Sequence, residues 1–446
     1  MNIREAKEEI KHTVQAYFRK DGQGNYVMPP QRQRPILLMG PPGIGKTQIM
    51  EQIAGECGIG LVSYTITHHT RQSAVGLPFI RERQFGGAVY SVTEYTMSEI
   101  IASVYRKIEE GFPEGILFID EINCVSETLA PTMLQFLQCK TFGNQEVPLG
   151  WLIVAAGNPP EYNKSVREFD MVTLDRVRCI PVEADLKVWR SYAREHHIHG
   201  AILSYLELRP KNFYRVEADV DGLRFVTARG WEDLSVLMKA YGEQGIAVTE
   251  EIVYEFLRHP DVAQDVAAYF DLYEKYRDDY GIADILRGKT VPVVYERLER
   301  AAFDERLAVV NLLLDGILAG VTRFFALQDE TDRAFEELKA YRNSPDARQE
   351  VFEEKKASFD ERRHVYEETE QECIVSIEHA FDFMEAAFGR GQEMVVFVTE
   401  LTITPELMRF LAQHTCERYL NYNQELLVGT KRGELLAELD RSDLNK

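Results

Sequence analysis

The sequence predicts an α/β fold: a parallel, five-stranded sheet with helices on both faces, followed by a helical lid and an acidic, mainly α-helical C-terminal region. Three observations lead there. Short apolar runs alternate with longer helical patterns through the first half of the chain. A glycine-rich loop joins the first such run to a helix. Beyond about residue 260 the chain turns acidic and helical in period. With 446 residues, 45% hydrophobic and 28% charged, the composition is that of a globular protein of two or three domains.

Strands are expected at Pro35 to Met39, Leu61 to Thr67, Ile116 to Asp120, Trp151 to Ala156 and Val177 to Val182. All but the second are nearly continuous apolar runs, as strands covered on both faces are. Between Ala74 and Tyr95, the apolar Phe79, Ile80, Phe85, Val89 and Tyr90 flank Gly86-Gly87 and predict a hairpin. Phe142-Gly143-Asn144-Gln145 predicts a second turn just before Trp151. From Asp185 to about Pro260 the pattern is helical, with one helix opening near Arg229 and another capped by Thr249. The α/β domain is therefore placed at residues 1–184, the lid at 185–260 and the acidic helical domain at 261–446.

Within that last region Phe352, Phe359, Tyr366 and Cys373 recur every seven residues, as do Phe324, Thr331 and Leu338 upstream, with Asn343-Ser344-Pro345-Asp346 between the two sets. A seven-residue repeat keeps one seam facing a partner helix, so a helical hairpin arm is expected near 320–388. A pair of ordinary amphipathic helices on a bundle fits the pattern equally well.

Charge and cysteine content bound the partners. Residues 1–260 hold 28 Lys and Arg against 33 Asp and Glu, and residues 261–446 hold 23 against 39. Such a surface repels phosphate backbones at long range, and no basic run offsets it, which weighs against nucleic acid as a partner. The six cysteines are scattered without a Cys-x-x-Cys pair, which argues against a zinc ribbon or a disulfide framework. His196-His197-Ile198-His199 has no carboxylate or thiol at metal-ligand spacing. No stretch approaches about 18 uninterrupted apolar residues, and the first residues are charged, so a cytoplasmic protein without a membrane span is expected.

The chemistry centres on Gly40-Pro41-Pro42-Gly43-Ile44-Gly45-Lys46-Thr47, a G-x-x-x-x-G-K-[ST] match directly after a strand and before the helix that opens at Gln48. Glycines let the loop turn so that its N–H groups and the helix N-terminus point at phosphates. Lys46 would neutralise the β/γ-phosphates, and Thr47 would offer its hydroxyl to Mg²⁺. Asp120 and Glu121 end an apolar strand, where two carboxylates are costly without a compensating charge. Asp120 is expected to reach the metal and Glu121 to prepare the water that attacks the γ-phosphate.

With these motifs assembled, the sequence resembles the AAA+ ATPases, and among them the MoxR-like group. The resemblance rests on the phosphate loop, Ile-Asp-Glu-Ile-Asn at 119–123, Ala-Gly-Asn-Pro at 156–159, Leu-Asp-Arg at 174–176 and Ala-Arg at 228–229, and covers roughly residues 1–260. Both predicted insertions are similar to those of this clade. The resemblance implies that Asn158 is sensor 1, aligning the lytic water. It places Arg176 as an arginine finger delivered to a neighbouring subunit's nucleotide, with Arg178 as competitor, and Arg229 as sensor 2. It also implies a ring, a hexamer, and a partner protein that carries a von Willebrand factor A-type domain. The alternatives are a nucleotide-gated scaffold with slow turnover and a motor acting on nucleic acid.

Overall fold

The computed structural model describes residues 1–68, 74–142, 145–162, 166, 168–219, 222–342 and 348–426. The chain forms two compact units, Met1–Trp189 with Phe213–Trp231, and Arg190–Asn212 with the chain from Glu232 onward. Residues 185–260, expected as one lid, contribute to both.

In the first unit, α1 (Ile3–Tyr17) precedes β1 (Ile36–Met39), α2 (Gln48–Cys57) and β2 (Gly60–Thr65). The hairpin β3 (Pro78–Phe85) and β4 (Ala88–Tyr95) follows, then α3 (Glu99–Glu109), β5 (Gly115–Asp120) and α4 (Ala130–Cys139). The short pair β6 (Thr141–Phe142) and β7 (Gln145–Glu146) leads to β8 (Trp151–Gly157), α5 (Met171–Leu174) and β9 (Arg178–Pro181). The five-stranded sheet has the order β2-β5-β8-β1-β9, with every neighbouring pair parallel. All five expected strands are present.

Successive residues of a strand face opposite sides. Leu37, Leu117, Ile119, Ile153 and Ala155 pack into one core with Val104 of α3 and Phe136 of α4. Ile36, Leu38, Ile116, Phe118 and Val154 pack into the other, with Ile10 of α1 and Ile53 of α2. Two cores are the reason the strands read as continuous apolar runs. Each is strongly held, since losing one buried phenylalanine side chain costs about 3–5 kcal/mol. The parallel registers Met39↔Gly157, Ile119↔Ala155 and Thr65↔Asp120 bring the carboxyl ends of four strands to one edge, the place where open α/β sheets bind ligands.

The hairpin pairs from Pro78↔Tyr95 to Phe85↔Ala88 around Gly86 and Gly87, whose φ of 58° and 88° only glycine adopts readily. β6 and β7 pair where the second turn was expected, though its Gly143 and Asn144 lie outside the described residues. One expectation is corrected. Within the stretch read as helical, β10 (Arg215–Asp219) and β11 (Gly222–Val226) form an antiparallel pair. Two five-residue strands are too short to stand out from flanking helical signals.

The second unit is helical. Its helices Phe303–Arg342 and Gln349–Phe388 have 40 residues each, about 60 Å of helix. They run antiparallel: Phe324 stacks on Tyr366 at 5.1 Å, and Phe335 meets Phe359 at 5.7 Å. The Asn343-Ser344-Pro345-Asp346 break lies outside the described residues. An 18-residue window of Phe303–Arg342 is apolar enough to cross a membrane, and 61% of it is buried inside the protein, as in a core helix. The histidines at 196, 197 and 199 serve separate partners: Tyr192 O, Glu406, and the Ala201 N–H at the head of Gly200–Leu208.

Candidate nucleotide site

The loop of residues 40–47 leaves β1 and enters α2 at the carboxyl edge of the sheet. Its path depends on glycine. Gly43 and Gly45 have φ of 72° and 89°, a region costly for residues with a Cβ. At Gly40 a Cβ would lie 2.5 Å from Val182 O. Tyr214, just ahead of β10, donates its hydroxyl to Pro42 O at 2.9 Å, and the Arg229 N–H donates to Gly43 O at 3.2 Å.

Lys46 is buried in this loop. Its Nζ donates to Gly40 O at 2.8 Å, Pro41 O at 2.7 Å and Asn158 Oδ1 at 2.9 Å. Burial brings its pKa down to about 8; Asp120 opposes that fall, and nearby Arg229 adds to it. An ammonium held by three neutral oxygens is positioned where an anionic phosphate would be welcome.

Thr47 Oγ1 donates to Asp120 Oδ2 at 2.8 Å, while Asp120 Oδ1 accepts from the Glu121 N–H at 2.9 Å. A hydroxyl and a carboxylate side by side are hard oxygen donors and too few to enclose an ion, which fits Mg²⁺, a cation that keeps waters and takes phosphate oxygens. Among the described residues no cluster of three His, Cys, Asp or Glu side chains could hold a metal alone.

Glu121 has a φ of 56°, left-handed for a residue with a side chain. Such strain costs about 1–3 kcal/mol and gathers at functional sites. Its carboxylate accepts from Thr67 Oγ1 at 2.8 Å. Asn158 is clamped by buried Asn123, whose Nδ2 donates to Asn158 O at 2.8 Å and whose Oδ1 accepts the Asn158 N–H at 3.3 Å. The clamp needs Gly157, where a Cβ would meet Asn123 Oδ1 at 2.6 Å.

The structure thus forms two hydrogen-bonded groups at adjacent loop residues, Lys46 with Asn158 and Thr47 with Asp120 and the Glu121 N–H, while Asp120 and Arg229 both act electrostatically on Lys46. Arg176, two residues beyond α5, belongs to neither group: its Nη1 donates to Gln138 Oε1. Arg178 is bonded to Thr13 and Glu9 of α1. Sequence reasoning missed Thr67, the Asn123 clamp, Tyr214 and Gln138.

A phosphate loop, a strand-end acid pair and a strand-end amide at one edge of a 5-stranded parallel sheet define the nucleotide-binding half of an α/β P-loop AAA+ fold. Residues 36–172 match the family model for the ATPase family associated with various cellular activities (AAA). The match starts with the first residue of β1 and ends within α5. The chain therefore carries an AAA ATPase domain, which occupies less than a third of its 446 residues.

Proposed function

We propose that this protein is a Mg²⁺-dependent ATPase that works in the cytoplasm as a ring, a hexamer, and converts hydrolysis into remodelling of a partner protein, in the manner of the MoxR-like ATPases it resembles. The observation that carries the reading is the sheet edge at which a buried ammonium bonded to Asn158 stands in the same loop as a hydroxyl-carboxylate pair, Thr47 with Asp120, whose carboxylate also accepts the N–H of Glu121.

Thr47 and Asp120 would hold Mg²⁺, which when bound offsets charge on the phosphate oxygens. The loop N–H groups and Lys46 bind the triphosphate, Lys46 exchanging its carbonyl partners for phosphate oxygens. Glu121 accepts the proton of the attacking water at its carboxylate, and Asn158 orients that water through its side-chain amide. The chemistry is positional and electrostatic, with no covalent intermediate.

Completion of the site by a neighbouring copy is supported by the surface around Arg176. On α5, Met171 is 83% exposed and Val172 51%, with Leu174 also exposed beside the arginine. A cation amid apolar side chains suits an interface better than open water. The acidic helical region is the proposed docking element for the partner, a protein with a von Willebrand factor A-type domain.

The test is steady-state phosphate release by wild type, Lys46→Ala and Glu121→Gln. Wild type should exceed both by about 100-fold or more. A wild type that binds ATP tightly yet releases phosphate no faster than Lys46→Ala sinks the enzyme reading and leaves a nucleotide-gated scaffold.

A further inference from the structure

Among the described residues, the group bonded to the exposed guanidinium of Arg176 is a neutral amide. Arg176 Nη1 donates to Oε1 of Gln138, which stands in the last turn of α4. The same amide donates from Nε2 to Thr173 Oγ1 at 3.3 Å. Thr173 is fully buried, and its N–H is fixed at 2.7 Å by Oδ1 of Asp170, the N-cap of α5. The two Gln138 bonds run in opposite directions, one accepting from a cation and one donating to a hydroxyl, and a carboxamide serves both at once. Its base is anchored too, since Phe136 of α4 stacks on Phe142 of β6 at 4.0 Å.

We propose that Gln138 is a positioning residue that presents the Arg176 guanidinium to the nucleotide of a neighbouring copy. This rests on reading Arg176 as the finger. An arginine side chain has many rotamers to lose when it engages a phosphate, and a bond made beforehand removes part of that loss. A neutral acceptor does so without a direct ion pair, although the exposed Asp170 carboxylate acts on the guanidinium through space. A carboxylate in its place would compete with the phosphate for the same cation.

The experiment compares full-length Gln138→Ala, Gln138→Glu and Arg176→Ala with wild type, with assembly verified for each by light scattering at every salt concentration used. Gln138→Ala should lower kcat for ATP hydrolysis about tenfold and leave KM within about twofold, because a subunit's own cradle is unchanged. Mixing Gln138→Ala with Glu121→Gln subunits, which do not hydrolyse but carry an intact finger, should restore turnover at the Gln138→Ala sites. Gln138→Glu should lower kcat further, and its deficit should shrink as potassium chloride rises from roughly 0.05 to 0.5 M, because the new ion pair is screened. A merely structural role gives neither complementation nor relief by salt.

Wild-type kcat in Gln138→Ala alongside a large loss in Arg176→Ala overturns the proposal and leaves the finger in place. Wild-type kcat in Arg176→Ala overturns the reading beneath it. Should Gln138→Ala not fold, the nearly isosteric Gln138→Glu decides: wild-type turnover at low salt overturns the proposal, and a salt-relieved deficit supports it.

Discussion

Two buried cations of nearly equal exposure, Lys46 at 7% in the first unit and Arg194 at 8% in the second, are held in opposite ways. Arg194 is bonded to the Glu400 carboxylate, and Arg190 joins them, lying 3.3 Å from Glu207 and 3.4 Å from Glu400. Burial lowers the Arg194 pKa while Glu400 opposes the shift. The three bonds of Lys46 all go to neutral oxygens. A cation with its counter-ion built in is architecture. One desolvated among neutral acceptors, with Asp120 acting on it without a hydrogen bond, has room for a further negative charge such as a phosphate.

The largest effects should separate these two cations. Lys46→Met should abolish ATP hydrolysis while keeping unfolding free energy within about 1 kcal/mol of wild type, because removing a desolvated ammonium offsets the lost hydrogen bonds. Arg194→Met should do the reverse. It leaves Glu400 buried and only partly paired by Arg190, which costs about 3 kcal/mol in urea unfolding. Equal destabilisation by the two substitutions would erase the distinction.

How much of this was legible in the sequence follows from where the partners lie. The strands, the phosphate loop and the acid pair are each written in a few consecutive residues, so period and spacing reveal them, while Asn158 is singled out only by the family resemblance. Thr67 is 54 residues from Glu121, Asn123 is 35 from Asn158 and Gln138 is 38 from Arg176. Those pairings depend on strand register and helix length, which no local pattern encodes. Register does encode one of them in hindsight: with Thr65 opposite Asp120, Thr67 is carried past the strand end toward Glu121. The inward fold of Lys46 and the left-handed backbone of Glu121 were equally hidden, since both arise from tertiary packing around a motif whose residues were plain.

The pH dependence of binding sharpens the comparison at intermediate size. Burial brings the Lys46 pKa down to about 8 in the folded chain, against an ordinary lysine value of 10.5. Between those values the unfolded chain holds more protons, so raising the pH through this window stabilises the ligand-free fold. Bound phosphates draw the pKa back up, so binding above pH 8 takes up a proton. The Kd for ATP should therefore be flat below about pH 8 and rise above it, by up to about tenfold per pH unit. Calorimetry in two buffers of different ionisation enthalpy would show that uptake directly. A constant Kd from roughly pH 7 to 9.5 would mean that Lys46 is not the group that meets the phosphates.

The smallest effect tests whether the same criterion separates two neighbouring arginines. Arg178 donates from Nη1 to Thr13 Oγ1 at 2.6 Å and from Nη2 to the Glu9 carboxylate, so like Arg194 it has a counter-ion in its own chain. Arg176, like Lys46, makes its hydrogen bonds to neutral oxygens, with a carboxylate (Asp170, as Asp120 for Lys46) acting only through space. The Arg178 and Glu9 side chains are 35% and 38% exposed, and water screens such a pair to about 0–1 kcal/mol. Arg178→Ala should accordingly keep kcat within about twofold of wild type and lower stability by less than about 1 kcal/mol, while Arg176→Ala, assayed beside it, loses hydrolysis. Were Arg178→Ala inactive yet unfolding at the wild-type temperature, a cation already paired in its own chain would be able to serve another molecule's phosphate, and the presence of a counter-ion would no longer tell structural charges from functional ones.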